Sequence, residues 1–380
     1  MSVALTGGRV LNGRGFVEGL GVVIDGGRIT AVLPEAEALG RADARYDLAG
    51  GRLVPGFVDT QVNGGGGVLF NDDVSVEAIA AIGQAHRRFG TTGFLPTLIS
   101  EDLDAIDRAM RAVEQAIAAG VPGVLGVHVE GPFLSAERAG IHDKAKFRTL
   151  DDHAIRLLGS LKAGRTLVTL APERTQSDCI GKLVASGVVV AAGHTDATYE
   201  ETQAALAAGI AGFTHLFNAM SPLASRAPGA VGAALEDASS ICGIIVDGRH
   251  IHPAVLRLAL RCKPADRFML VTDAMPSVGL TEKSFTLQGR TITVENGVCV
   301  GPDGTLAGSD LDMAQAVRNT VEMMGVELPD ALRMASQTPA QFLGLDHELG
   351  RIAPGLRADL VLLDDAGEVV TTWIGGQLPA

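Results

Sequence analysis

The chain has 380 residues, of which 47% are hydrophobic, enough for one large domain plus a smaller appendage around a substantial core; this excludes a disordered chain and a mini-protein. A formal net charge of -13 excludes a general nucleic-acid surface and an anionic-membrane surface, since both select a basic field, so any anionic ligand must be met locally. The four cysteines, Cys179, Cys242, Cys262 and Cys299, are scattered without C-x-x-C spacing, which excludes a disulfide framework or a zinc knot and points to a reducing, cytoplasmic setting.

The first nine residues lack a basic segment followed by a sustained apolar one, and no later stretch is long enough to span a bilayer, so a soluble protein with no membrane partner is expected. Residues 3–53 read as a β meander, with short runs at 8–11, 20–24 and 28–32 broken by turns such as Asp25-Gly26-Gly27. Residues 358–363 and 369–374 repeat that texture around Asp365-Ala366-Gly367. Residues 1–53 and 347–380 are therefore expected to form one small β-sandwich domain built from both termini.

Between them, residues 54–346 alternate apolar β-like runs with Ala-rich stretches at helical spacing. A helix is expected over 76–89, started near Asp72 or Asp73, then a strand over 92–97. Further strands are expected over 124–129, 166–170, 187–192, 212–214, 241–246 and 268–272, with helices over 177–185, 199–208, 253–260 and 311–324. Near-continuous apolar strands separated by helices indicate an α/β class with a parallel sheet covered on both faces. About eight such units fit a closed (β/α)8 TIM-like barrel, which typically takes about 250 residues; an open doubly wound sheet is the alternative.

Polar clusters close four of these runs. Glu130 follows 126–129, His194 follows 188–193, His215 follows 211–214 and Asp273 follows 269–272, which in a barrel places all four at the catalytic face. One carboxylate and two imidazoles form the ligand set that leaves a divalent metal one position open for water, and a later aspartate could take that water's proton. Taken singly, a glutamate before Gly-Pro caps a loop and a histidine after a strand bonds at a rim; four loops offering compatible groups at equivalent strand positions favour the metal reading. A second group, Ile141-His142, Asn218-Ala219, Arg226 and Asp247-Gly248-Arg249-His250, also follows strands. Arg226 and the imidazoles would form a basic patch suited to a phosphorylated sugar, the blander reading of Arg226 being a surface ion pair. His252 reads as a helix-start residue, His86 as part of a solvated helix face, and His128 as packed beneath the site. The run Gly64-Gly65-Gly66-Gly67 lacks the lysine and spacing of a P-loop and reads as a tight loop near the mouth.

The combination of His128-Val129-Glu130-Gly131-Pro132-Phe133 with Thr214-His215-Leu216-Phe217-Asn218-Ala219-Met220, together with Pro55-Gly56-Phe57-Val58-Asp59, Gly193-His194-Thr195, Thr272-Asp273-Ala274 and Leu306-Ala307-Gly308-Ser309, resembles the amidohydrolase superfamily. Within it the chain closely resembles, over essentially its whole length, the family of deacetylases acting on N-acetylglucosamine 6-phosphate. The resemblance implies a metal held by Glu130, His194 and His215, with Asp273 as general base and then acid and His142 stabilising the oxyanion. It implies substrate contacts from Ile141, His142, Asn218, Ala219, Arg226, Asp247, Gly248, Arg249, His250, Leu306, Ala307 and Gly308, with Arg226 and His250 near the phosphate. Many superfamily members carry His-x-His after the first strand; here those positions are Gln61 and Asn63, which implies one divalent metal ion per subunit, zinc foremost, with iron, manganese or cobalt compatible. The expected partner is a phosphorylated N-acetylamino sugar, and a homodimer is expected to complete the site. Arg138 stands where relatives often have lysine. Another amidohydrolase, such as a D-aminoacylase or dihydroorotase, is disfavoured by the phosphate-binding group and the missing His-x-His, and a non-enzymatic scaffold by the intact ligand set.

Overall fold

Eight apolar runs pair edge to edge as parallel strands, β1 (Phe57–Val62), β2 (Thr91–Ile99), β3 (Gly126–Glu130), β4 (Arg165–Leu170), β5 (Val189–Ala192), β6 (Gly212–Phe213), β7 (Ile241–Ile244) and β8 (Phe268–Leu270). The structure, a computed structural model, describes residues 1–13 and 15–378. The strands lie in sequence order, as right-handed crossovers through outer helices require. Just past the ends of β1 and β8 the sheet closes on itself: Val62 bridges Ala274 in parallel, the Asp273 amide donates to Gln61 O at 3.0 Å, and the Asn63 amide donates to Ala274 O at 3.0 Å. Closure excludes the open doubly wound sheet.

The outer helices are α1 (Val76–Arg87), α2 (Leu103–Ala118), α3 (Asp152–Leu158), α4 (Ser177–Ala185), α5 (Tyr199–Ala207), α6 (Gly229–Glu236), α7 (Pro253–Cys262) and α8 (Met313–Asn319), followed by α9 (Leu328–Ala335) and α10 (Gln337–Phe342), which pack against β1 and β8. On α2, Leu103, Ile106, Met110 and Val113 are buried at helical spacing, whereas α6 is buried from Gly229 to Leu235. α1 is capped by Ser75, whose hydroxyl accepts from the Ala78 amide, and not by Asp72 or Asp73, because a cap must sit directly before the first turn. His252 caps α7, its ring accepting from the Ala254 amide. The helix expected over 311–324 is interrupted: Asp312 caps α8, and a π-helical turn, Thr320–Met324, runs to Gly325 at φ 72°.

His86 departs from expectation. It is buried on the inner side of α1, and its Nε2 lies 2.9 Å from Gly64 O; a carbonyl can only accept, so Nε2 carries the hydrogen. Burial holds this imidazole below its ordinary pKa. The bond fixes the glycine loop, where Gly64–Gly65 pairs with Val68–Leu69, and a Cβ on Gly65 would stand 2.8 Å from His86 Nε2.

The two ends of the chain meet in one sheet. Leu360–Leu363 pairs antiparallel with Arg52–Pro55, which pairs with Arg9–Asn12. A second sheet holds Arg28–Pro34, Leu20–Asp25, Val3–Thr6 and Ala44–Asp47, and Leu5, Val22, Ile29, Leu53, Leu360 and Trp373 share one core between the two. A further antiparallel sheet, absent from the expectations, lies over the barrel mouth: Ser284–Leu287, Arg290–Glu295, Val298–Val300 and Leu306–Ser309. Its signals are Gln288-Gly289 and Asn296-Gly297, all four at positive φ, as two-residue hairpin turns demand. Its last strand returns to the barrel, where the Ser309 amide donates to Asp273 O at 2.9 Å.

Asp59 crosses the closing seam. It is fully buried on β1 and accepts from the Gln61 amide at 3.2 Å, the Thr272 amide at 3.3 Å and Thr272 Oγ1 at 2.5 Å. Burial pushes its carboxyl up to about 7, against these donors. Replacing Asp59 with Ala strands three buried donors, for an expected loss of about 3 kcal/mol, with a smaller loss for Asp59→Asn. Urea unfolding of both variants measures this; equal midpoints for Asp59→Ala and wild type would show that the seam does not depend on the carboxylate.

Candidate metal centre and active site

At the mouth of the barrel Glu130 ends β3, while His194 and His215 sit two residues beyond the ends of β5 and β6, and Asp273 three beyond the end of β8. The last three adopt positive φ, 48°, 32° and 53°, which costs a non-glycine residue about 1–3 kcal/mol and is sustained only where the surroundings impose it. Here the residues after His194 and His215 are tied to neighbouring backbone: the Thr195 amide donates to Ala219 O in the loop after β6 at 3.0 Å, and the Leu216 amide to Gly243 O on β7 at 2.8 Å.

The outcome is a buried triad. Glu130 Oε1 lies 2.9 Å from His215 Nε2 and 3.3 Å from His194 Nε2, and the two Nε2 atoms are 3.1 Å apart. One ligand atom from each of the three residues falls within 4.8 Å of the others. His194 Nδ1 lies 2.8 Å from Arg138 O, so the hydrogen is on Nδ1 and Nε2 turns a lone pair inward. Burial opposes ionisation of Glu130, yet the facing imidazoles of His194 and His215 hold it well below the usual carboxylate range. The donor set and its convergence fit a divalent cation: two nitrogens and a carboxylate oxygen aimed at one point, with a second-sphere carbonyl setting one tautomer.

Around the triad lies a cavity of about 370 Å³ lined by, among others, Asn63, Arg138, Ile141, His142, Asn218, Ala219, His250, Asp273, Leu306 and Gly308. His142 is buried; its Nδ1 receives the Ser100 amide at 3.3 Å and lies 2.8 Å from Ser100 Oγ. An amide can only donate, so the ring hydrogen is on Nε2, which stands 4.0 Å from Glu130 Oε2. Burial, then His194, pushes the His142 imidazole down to about 3, so the ring is neutral. Burial and then the charge of Glu130 push Asp273 up to about 6. Asp273 Oδ1 receives Asn63 Nδ2 at 2.7 Å and Gln61 Nε2 at 3.1 Å, and the same Gln61 nitrogen lies 3.1 Å from Glu130 Oε1.

The remaining residues singled out in the sequence divide. His250 lines the cavity, its Nδ1 2.6 Å from Asp247 Oδ2; Asp247 is held low in pKa by His250 and by the Arg249 and His250 amides, in spite of burial. Asp247, Gly248, Arg249, Arg226 and Ala307 are not among the cavity-lining residues, and Arg226 and Arg249 are exposed. The lining residue with a permanent positive charge is Arg138, whose Nε donates to Asp196 Oδ1 at 2.8 Å. Ile99, Ile245 and Met275 also line the wall; they stand at or beyond strand ends too, but apolar side chains there carry no chemical signal in a sequence, and Thr305, which joins them, lies just before the strand Leu306–Ser309. His128 lies beneath the triad, buried between Thr97 and Thr169, with its Nε2 2.7 Å from Thr169 Oγ1.

Residues 52–378 match the family model described as Amidohydrolase family. An N-acetylgalactosamine-6-phosphate deacetylase of Shewanella sp. (strain ANA-3) is 42% identical over 98% of this chain and 94% of its own. The crystal structure of N-acetylglucosamine-6-phosphate deacetylase from Pasteurella multocida superposes with a TM-score of 0.96 at 34% identity, covering 100% of both chains. A mutant of the Mycobacterium smegmatis N-acetyl-D-glucosamine-6-phosphate deacetylase, solved with N-acetyl-D-glucosamine-6-phosphate, superposes with a TM-score of 0.90 at 35% identity over 99% of each chain. A closed barrel, a Glu-His-His cluster at its mouth and these likenesses lead to one conclusion: the chain belongs to the amidohydrolase family.

Proposed function

We propose that the protein hydrolyses the acetamide of N-acetyl-D-glucosamine 6-phosphate, giving D-glucosamine 6-phosphate and acetate, in amino-sugar catabolism or recycling. The observation that carries this reading is the placement of Asp273 in one cavity with the Glu130, His194 and His215 cluster. The relatives named for this activity support it, and a related protein binds this sugar phosphate. Because the Shewanella relative is named for the galactosamine epimer, the assay below compares both.

We assign Glu130, His194 and His215 as ligands of one divalent ion, zinc before iron, manganese or cobalt. Such an ion supplies Lewis acidity that polarises a carbonyl and makes water nucleophilic at neutral pH. Asp273, as a carboxylate, takes the proton of the attacking water; water oxygen bonds to the acetyl carbon, the C–N bond breaks, and Asp273 returns the proton to the departing nitrogen. Neutral His142 donates from Nε2 to the oxygen on which negative charge develops. Asn218, Ala219, His250, Ile141, Leu306 and Gly308 hold the sugar phosphate within the cavity.

Arg226 fits a homodimer in which a second subunit completes the site, since its segment 222–227 is exposed and it does not line its own chain's cavity. In this assignment Arg226 joins His250 at the phosphate, with Asp247, Gly248, Arg249 and Ala307 shaping that end. Four free cysteines suit a reducing, cytoplasmic setting, and no helix among the described residues is long and apolar enough to cross a membrane.

Acetate release from both epimers, with and without the 6-phosphate, after metal stripping and single-metal reconstitution tests the reading. Activity is expected only with metal restored and chiefly on phosphorylated sugar; equal kcat/KM without the phosphate would overturn the part given to Arg226 and His250. Asp273→Asn should keep its metal and lose about 10³-fold in kcat, and His142→Gln about 10²-fold, whereas His194→Ala should lose the metal itself. Metal affinity should fall as pH drops, because protons compete for the same imidazole and carboxylate lone pairs; calorimetric titration showing equal affinity at pH 5 and pH 8 would contradict the assigned ligands.

A further inference from the structure

We propose that Gln61 and Asn63 are positioning residues for Asp273: their side-chain amides hold its Oδ1, leaving Oδ2 as the oxygen that exchanges protons with substrate. This rests on the reaction proposed above. The two residues occupy alternate positions at the end of β1 and its continuation, so their side chains share one face. Closure of β1 on β8 brings that face to Asp273, since the Asp273 amide donates to Gln61 O at 3.0 Å and the Asn63 amide to Ala274 O at 3.0 Å.

Both side chains are 2% exposed, and both put hydrogens, not lone pairs, toward Asp273. Gln61 Nε2 donates to Glu130 Oε1 and Asp273 Oδ1, each at 3.1 Å, and Asn63 Nδ2 donates to Asp273 Oδ1 at 2.7 Å. A primary amide is suited to this place because it is neutral and has two hydrogens on one nitrogen, one for each of two carboxylates that repel each other. Asp273 Oδ1 is thereby engaged twice, while Oδ2 accepts from none of the described residues. Asn63 Oδ1 is buried without a partner, a cost that folding alone does not explain. At these two positions a His-x-His pair would offer lone pairs to a metal; here the same positions offer protons to the acid-base group.

The test uses the metal-loaded full-length enzyme and a kinetic cycle. Gln61→Met and Asn63→Ala should each lower kcat about 10-fold and together about 10²-fold, with KM and bound metal per chain unchanged. In an Asp273→Asn background the same substitutions should change the residual rate by less than about two-fold, because the group they position is already gone. Gln61→His, which can keep one N–H donor, should recover part of the rate lost in Gln61→Met. Losses that multiply in the Asp273→Asn background, or that follow loss of metal at constant kcat per bound ion, would overturn the proposal. If the double variant does not fold, each single variant still closes its own cycle with Asp273→Asn. A wild type that releases no acetate would remove the underlying reaction, whereas an active wild type with multiplying losses would remove this inference alone.

Discussion

The seam at which the last barrel strand meets the first holds the site in register. Until β1 lies against β8 there is no barrel mouth, and Asp273, more than 200 residues from Asp59 and Gln61 in the chain, has no neighbour to orient it. Asp59 ties the two strands by accepting from Gln61 and Thr272, and the backbone bonds just beyond set Gln61 and Asn63 beside Asp273. Ser309 adds a third strand to the seam from the sheet over the mouth: its hydroxyl donates to Thr272 O at 2.5 Å and its amide to Asp273 O. A one-residue slip at this junction would turn every side chain to the opposite face and disassemble the site.

Three buried carboxyls stand close together there, each in a different electrostatic setting. Asp59, with only neutral donors, has its pKa raised to about 7; Glu130, against two imidazoles, is held ionised; Asp273, raised to about 6 by burial and by Glu130, lies between them. Environments that push like groups apart in this way are how one site can keep neighbouring carboxyls in different protonation states at a single pH. Gln61 joins the two charged members through a neutral donor, which a histidine could match only with one hydrogen per ring nitrogen.

Much of this was legible in the chain. Glu130, His194, His215 and Asp273 stand out because each is polar where an apolar run stops, and a parallel barrel collects such residues on one face. His252 was recognisable as a cap by its place before Pro253. His86 was not recognisable: in Gln84-Ala85-His86-Arg87-Arg88 two arginines follow it, and only the approach of the glycine loop 64–67 supplies the carbonyl that its Nε2 meets in the core. The sheet at 284–309 was missed although Asn296-Gly297 announces a hairpin, because its strands carry charged and polar residues on one side and lack the unbroken apolar character that marks the barrel strands.

The order of strands and helices and the four chemical groups at strand ends are properties of local sequence, set by periodicity and residue type, whereas the resemblance to the superfamily is what marks Gln61 and Asn63 as standing at the His-x-His positions. Which atoms meet was decided by tertiary structure. Closure of the barrel converts Gln61 and Asn63 from absent ligands into hydrogen donors, places Arg138 on the cavity wall and leaves Arg226 outside its own cavity. The physical reason is that hydrogen bonds and charges act over a few ångströms, and the residues they join here lie dozens to hundreds of positions apart in the chain.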